Sequence, residues 1–298
     1  MDVLMEKCML CPRMCNKNRT LGELGFCKSD DKIKIARADL HFWEEPCISG
    51  ENGSGTVFFS HCNMKCVFCQ NYNISIKNQG KQLSESELSD IFLELQKKGA
   101  NNINLVTPTH YVPKIISALK MAKASGLNIP ILYNTSGYEN TDTIKMLDGY
   151  IDIYLPDLKY FNNKYAKKYS SAPDYFDKAS SAISEMFSQV GECEFDENGL
   201  IKKGVIVRHL MLPGLLFDSK KVIDYLYSTY GDSIYMSIMS QYTPLSTIPD
   251  CYPELKRNLP KGHYDTLIDY AVGLGVKNAF IQSGESAKES FIPEFYED

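Results

Sequence analysis

An α/β fold built on a parallel sheet is the architecture this sequence predicts, as an incomplete α/β barrel or a doubly wound sheet. Two observations carry the prediction. From residue 56 onward, short apolar runs alternate with helical stretches. Runs that are apolar throughout imply strands covered on both faces, as parallel strands are. Either architecture places ligands at the carboxyl ends of the strands, so the residues just after each strand carry most of the functional weight.

The first strand is Thr56–Ser60 (TVFFS). Leu88, Ile91, Phe92 and Leu95 then recur at helical spacing, with Ser84 or Ser86 as N-cap and Gly99 at the far end. "NINLV" (102–106) is the second strand, followed by a helix that begins near Pro113 and stops at Gly126. "IPILYN" (129–134), "IDIYLP" (151–156), "GVIVRHLMLP" (204–213) and "SIYMSIMS" (233–240) are the remaining strands. "DSKKVIDYLYSTYG" is the clearest of the later helices, and "CEFDENGLIKKGVIV" predicts a hairpin turning at Asn198-Gly199. Three regions follow: a Cys-rich, turn-rich segment over 1–50, a core over 51–245 and a C-terminal extension over 246–298 expected to be helical and to cover the core.

The chain has 298 residues, 44% apolar and 23% charged, ordinary for a globular protein. Its formal net charge of −5 argues against a broad nucleic-acid or anionic-membrane surface. No eighteen-residue apolar stretch predicts a membrane span, and "MDVLMEKCMLCPRMC" lacks the core of a signal peptide, so a cytoplasmic protein is expected. Ten cysteines in such a chain point to metal or redox chemistry rather than disulfides. Seven of them cluster, while Cys47, Cys193 and Cys251 stand alone and read as inert thiols.

Cys62, Cys66 and Cys69 form C-x3-C-x2-C directly after the first strand. Three thiolates on a four-iron cubane leave one iron without a protein ligand, and an open position distinguishes catalytic metal sites from closed structural ones. A zinc site completed by His61 or a distant residue is the alternative.

This loop, with Phe68 before its last cysteine, resembles the signature of the radical S-adenosylmethionine superfamily. "GSGTVFFSHCNMKCVFCQNYNIS" and "CMLCPRMC" further resemble the uncharacterised homologues of pyruvate formate-lyase activating enzyme, with His61 in place of a small residue. The resemblance, over roughly residues 51–245, implies a partial (β/α)6 barrel with a Cys-rich N-terminal extension. It implies a [4Fe-4S] cluster, S-adenosylmethionine, and an electron donor such as flavodoxin or ferredoxin. The expected reaction is reductive cleavage to a 5′-deoxyadenosyl radical that abstracts hydrogen from a peptide, protein or small molecule.

By the same resemblance, Phe68 lies beside the adenine, and Thr107 and Thr109 of "TPTHYVP" receive the methionine amino group where activating enzymes use Gly-Gly-Glu. Asn134 and Ser136 of "YNTSGY" stand for their Asp-Thr-Asn-Gly. Asp157 and Lys159 match their Asp-x-Lys and contact ribose and methionine. Arg208 is placed against the cofactor carboxylate, and Gln241 and Tyr242 near the adenine. His110 is a candidate substrate acid or base. A polar turn, an ion pair or buried aromatics would account for the same residues without a cofactor.

Cys8, Cys11, Cys15 and Cys27 supply four thiolates, enough to close a second metal site, an iron–sulfur cluster or zinc. Glycyl-radical activation fits less well than general hydrogen abstraction, because "NGSGTVFF" lacks the Gly-x-x-Arg of activases. A non-enzymatic zinc or iron–sulfur module is the reading of another class.

Overall fold

The structure, a computed structural model, describes residues 3–282. The acidic "SGESAKESFIPEFYED" tail, read from sequence as a lid, a docking tail or a disordered end, lies outside the described residues.

Ten strands are present among them: β1 (Ile33–His41), β2 (Ser54–Phe59), β3 (Lys81–Leu83), β4 (Ile103–Val106), β5 (Ile131–Thr135), β6 (Ile153–Pro156), β7 (Glu194–Phe195), β8 (Ile201–Leu210), β9 (Tyr235–Met239) and β10 (Ala279–Ile281). They order as β10-β9-β8-β6-β5-β4-β2-β1-β3, with β7 paired to β8 at the side. The six strands expected from sequence are β2, β4, β5, β6, β8 and β9, and every neighbouring pair among them is parallel. The result is an alternating α/β fold consistent with a partial (β/α)6 barrel, carrying the cysteines of its N-terminal extension.

Three strands were not expected. β10 extends the parallel series beyond β9. β1 pairs antiparallel with β2 over residues 35–41 and with β3 over residues 33–35. The sequence reading placed no strand in residues 1–50. β1 escapes it because "IKIARADLH" mixes charge into an edge position that is buried only at one end.

Alternation explains the apolar runs. Val57, Phe59, Leu105, Tyr133, Tyr154, Val205 and Val207 point outward into the main core against the helices. The intervening Leu132, Ile153, Leu155 and Ile206 point inward, where Cys47 and Ile48 close off one end of the barrel. Both faces being buried, no polar alternation is available to mark the strands. The helix Glu85–Lys97 starts at Ser84, whose hydroxyl accepts from the Glu87 amide (3.2 Å) while the Glu87 carboxylate accepts from the Ser84 amide (2.8 Å). The hairpin turns as expected, with Gly199 in the left-handed region and its amide bonded to the Asp196 carbonyl at 3.0 Å. In the C-terminal region, the helix Lys261–Leu274 leads into β10.

Candidate active site

The chain leaves β2 through Ser60 and turns sharply at His61, whose φ of +74° is in the left-handed region. The loop that follows hangs from a second anchor, where the Val67 amide donates to the Tyr169 carbonyl at 2.9 Å. These supports hold Cys62, Cys66 and Cys69 on one wall of a cavity of about 520 Å³, a volume within the range of cofactor sites.

Each sulfur has a polar neighbour. The Met64 amide donates to Cys62 Sγ at 3.3 Å, the Ser170 hydroxyl to Cys66 Sγ at 3.0 Å, and Cys69 Sγ shares a hydrogen bond with Ser75 Oγ at 3.3 Å. Burial raises all three thiols, Cys66 to about 11, with Lys159 partly opposing the shift. Neutral thiols bury at little cost, whereas three thiolates here need a cation in their midst. Among the described residues, no three His, Cys, Asp or Glu side chains are arranged to hold a single metal ion. A cubane does not ask for that, since each thiolate binds a different iron. Three thiols on one wall of a cavity of this size are a donor set that a cluster could use, and His61 is not among the residues that line the cavity. Its ring faces His110 (centroids 6.1 Å apart) on the far side of the loop; burial lowers its pKa to about 4.

Most of the residues singled out by sequence line the same cavity: Phe68, Thr107, Asn134, Ser136, Asp157, Lys159, Arg208, Gln241 and Tyr242. Phe68 and Tyr242 meet edge to face at 6.3 Å. Lys159 is hydrogen-bonded to Asp157, and their side chains are 17% and 20% exposed. Burial disfavours the Lys159 charge, but Asp157 and the neighbouring thiols outweigh it and hold the ammonium above its usual range. Thr107 adopts φ +59° at the end of β4. A β-branched residue there costs on the order of 1–3 kcal/mol and is held by its surroundings.

Thr109 and His110 are placed elsewhere. The chain turns back after Thr107 into the short helical turn Thr109–Tyr111. Thr109 donates to Glu139 at 2.6 Å behind the cavity. His110 bonds the Ser60 carbonyl at 2.8 Å, and burial drives its pKa well down, which favours the neutral ring. Neither residue lines the cavity.

Arg208 faces inward, as expected, while His209 points outward to the Leu158 carbonyl (2.8 Å). Yet its guanidinium is already held by Glu44 and Glu45, which follow β1. Burial opposes these charges, but pairing outweighs it, lifting Arg208 and depressing Glu45. Nothing in "HFWEEP" marks these acids in sequence. Two carboxylates against one guanidinium leave a net negative charge on this wall.

Glu139 is the other buried acid that sequence reading missed. Thr109 and Thr135 donate to one carboxylate oxygen, and the other has no partner among the described residues. Burial raises its pKa from 4.5 to about 7. The folded state therefore binds a proton more tightly than the unfolded state. The resulting stability is intact below pH 4.5 and is lost as pH rises through about 7. The loss is about 3 kcal/mol, and Glu139→Gln should abolish that slope in urea unfolding across the window. A variant that keeps the wild-type slope would exclude Glu139 as its source.

Comparisons with known proteins agree with this fold. Residues 56–192 match the family model of the Radical SAM superfamily. The chain is 29% identical over 280 residues to an uncharacterized protein of Methanocaldococcus jannaschii, covering 90% of this chain and 75% of the relative. Streptococcus suis SuiB, solved bound to S-adenosylmethionine, superposes with a TM-score of 0.50 at 14% identity, over 74% of this chain and 48% of SuiB. A radical SAM methyltransferase from Sphaerobacter thermophilus superposes with a TM-score of 0.52 at 13% identity, over 77% of this chain and 66% of its own. The chain thus spans about half the length of SuiB, and at these identities the likeness is one of fold. Among the described residues, no helix is long and apolar enough to cross a membrane.

Proposed function

We propose that this chain, whose residues 56–192 match the radical SAM superfamily model, is an enzyme of that superfamily that binds a [4Fe-4S] cluster through Cys62, Cys66 and Cys69 and cleaves S-adenosylmethionine. The observation that carries the reading is the shared cavity: three half-buried cysteines and the Asp157–Lys159 pair line one pocket at the carboxyl end of the parallel strands. When bound, the cluster and S-adenosylmethionine supply the reductive C–S cleavage that yields a hydrogen-abstracting 5′-deoxyadenosyl radical.

The protein's part is to bind, orient and exclude water. Ser170, Ser75 and the Met64 amide hydrogen-bond the sulfurs, and Lys159 offsets their charge. Phe68 and Tyr242 form the aromatic wall against which an adenine would stack. Asn134 and Ser136 present polar groups at the rim of the same cavity. Because Arg208 is engaged by two acids, we assign it to shaping that wall rather than to clamping a free carboxylate. The substrate is a peptide or small molecule, and the electron donor a flavodoxin or ferredoxin. The kinship to homologues of pyruvate formate-lyase activating enzyme rests on the motifs alone.

Anaerobic reconstitution and reduction should give the paramagnetic resonance of a [4Fe-4S]+ cluster, and its shape should change when S-adenosylmethionine is added. A spectrum indifferent to S-adenosylmethionine would overturn the assignment of an open iron.

A further inference from the structure

The N-terminal segment contains a charge without a counter-charge. Arg19 is fully buried. Its guanidinium donates to the Asp30 carbonyl (2.9 Å), the His110 carbonyl (2.6 Å), the Ser29 hydroxyl (3.0 Å) and Cys8 Sγ (3.8 Å). None of the ion pairs among the described residues includes it. An always-protonated group in such a place costs several kcal/mol unless an anion lies nearby. Besides the Asp30 carboxylate, which makes no ion pair with it, the groups at hand that can carry negative charge are the sulfurs of Cys8 and Cys27.

The backbone around the four cysteines is arranged for sulfur. Met14, Asn16 and Lys28, flanking Cys15 and Cys27, all adopt left-handed φ of +45°, +54° and +64°. The Phe26 amide donates to Cys15 Sγ at 3.2 Å. Gly25 leaves room for that sulfur, since a Cβ there would lie 3.1 Å from it. Such turns and amide–sulfur bonds are what a thiolate needs from its surroundings. Cys8, Cys11 and Cys27 are each only 8% exposed, which shields them from solvent.

We infer that Cys8, Cys11, Cys15 and Cys27 hold a second iron–sulfur cluster, with Arg19 as its buried counter-charge. Four thiolates about a [4Fe-4S] core carry net negative charge, and each sulfur gives up its proton to solvent as it bonds to iron. The site is fastened to the back of the first cysteine loop. Arg13 donates to the Asn63 carbonyl at 2.8 Å and to the Ser171 carbonyl at 2.6 Å, and Lys65 lies 4.4 Å over the Phe26 ring. On the other side, Asn140 and Thr143 hold the Met9 and Leu10 carbonyls, each at 2.7 Å.

The test uses the full chain with Cys62, Cys66 and Cys69 replaced by serine, supplied anaerobically with iron and sulfide. It should keep roughly half of the wild-type iron and sulfide, and lose them when Cys11→Ser and Cys27→Ser are added. In that background Arg19→Gln should lower the cluster's reduction potential, because removing a positive charge disfavours the added electron, while Arg19→Lys should hold it. Zinc in place of iron, no metal, or metal indifferent to Cys11 and Cys27 would overturn the cluster; equal potentials in the Gln variant and its parent would overturn the role of Arg19. This result is independent of the proposed function, which is tested by S-adenosylmethionine cleavage at Cys62, Cys66 and Cys69.

Discussion

Lys159→Met should reduce S-adenosylmethionine cleavage by about 100-fold, as loss of one preorganised charge or donor in an active site commonly does. The ammonium stands between Asp157 and the thiols of Cys66 and Cys69. Removing it leaves a largely buried carboxylate without its partner, at a cost on the order of 3 kcal/mol. Asp157→Asn added to it should recover most of the stability and none of the activity, because the amide needs no cation whereas the cluster thiolates still do. Thermal unfolding and turnover measured on the single and double variants separate the two effects. Full activity in the Lys159 variant would exclude its assigned role.

Gly137→Ala should be the most damaging methyl addition near the site. Gly137 has φ +78°, and a Cβ there would lie 2.2 Å from the Asp157 carbonyl oxygen. That carbonyl cannot retreat easily, because it closes β6 and accepts the Tyr175 hydroxyl at 2.9 Å. Steric overlap and left-handed strain together should cost about 3 kcal/mol or more, lowering Tm by roughly 6–12 °C. Gly149→Ala is the control. It shares the left-handed φ (+76°) but a Cβ meets nothing within 4 Å, so only the conformational cost of about 1–2 kcal/mol applies. Equal losses in the two variants would mean that the Asp157 contact carries no weight.

The parallel core was legible because burial on both faces writes each strand as an apolar run, and a helical period separates the runs. Antiparallel β1 was not, because its charged residues interrupt that pattern and it is buried only at one end. The same split holds in the site. Cys62, Cys66, Cys69, Asp157 and Lys159 follow strand ends, where position alone gives them meaning. Glu44 and Glu45 reach Arg208 from more than 160 residues away, and local sequence says nothing of such a pairing. Thr109 and His110 lie off the cavity because Thr107 takes a left-handed turn that β-branched residues rarely adopt, which swings the next residues behind it. Glu139 and Arg19 were invisible for a simpler reason: a charged residue is ordinarily exposed, and only the packed structure reveals it buried.

The central claim is that three cysteines leave one iron open to S-adenosylmethionine. Its most direct test is the 5′-deoxyadenosine formed by the reconstituted, reduced protein under anaerobic conditions, measured beside the Cys62/Cys66/Cys69→Ala variant. The account predicts nucleoside from the wild-type protein and none from the variant. Nucleoside from both proteins, or from neither, would contradict it.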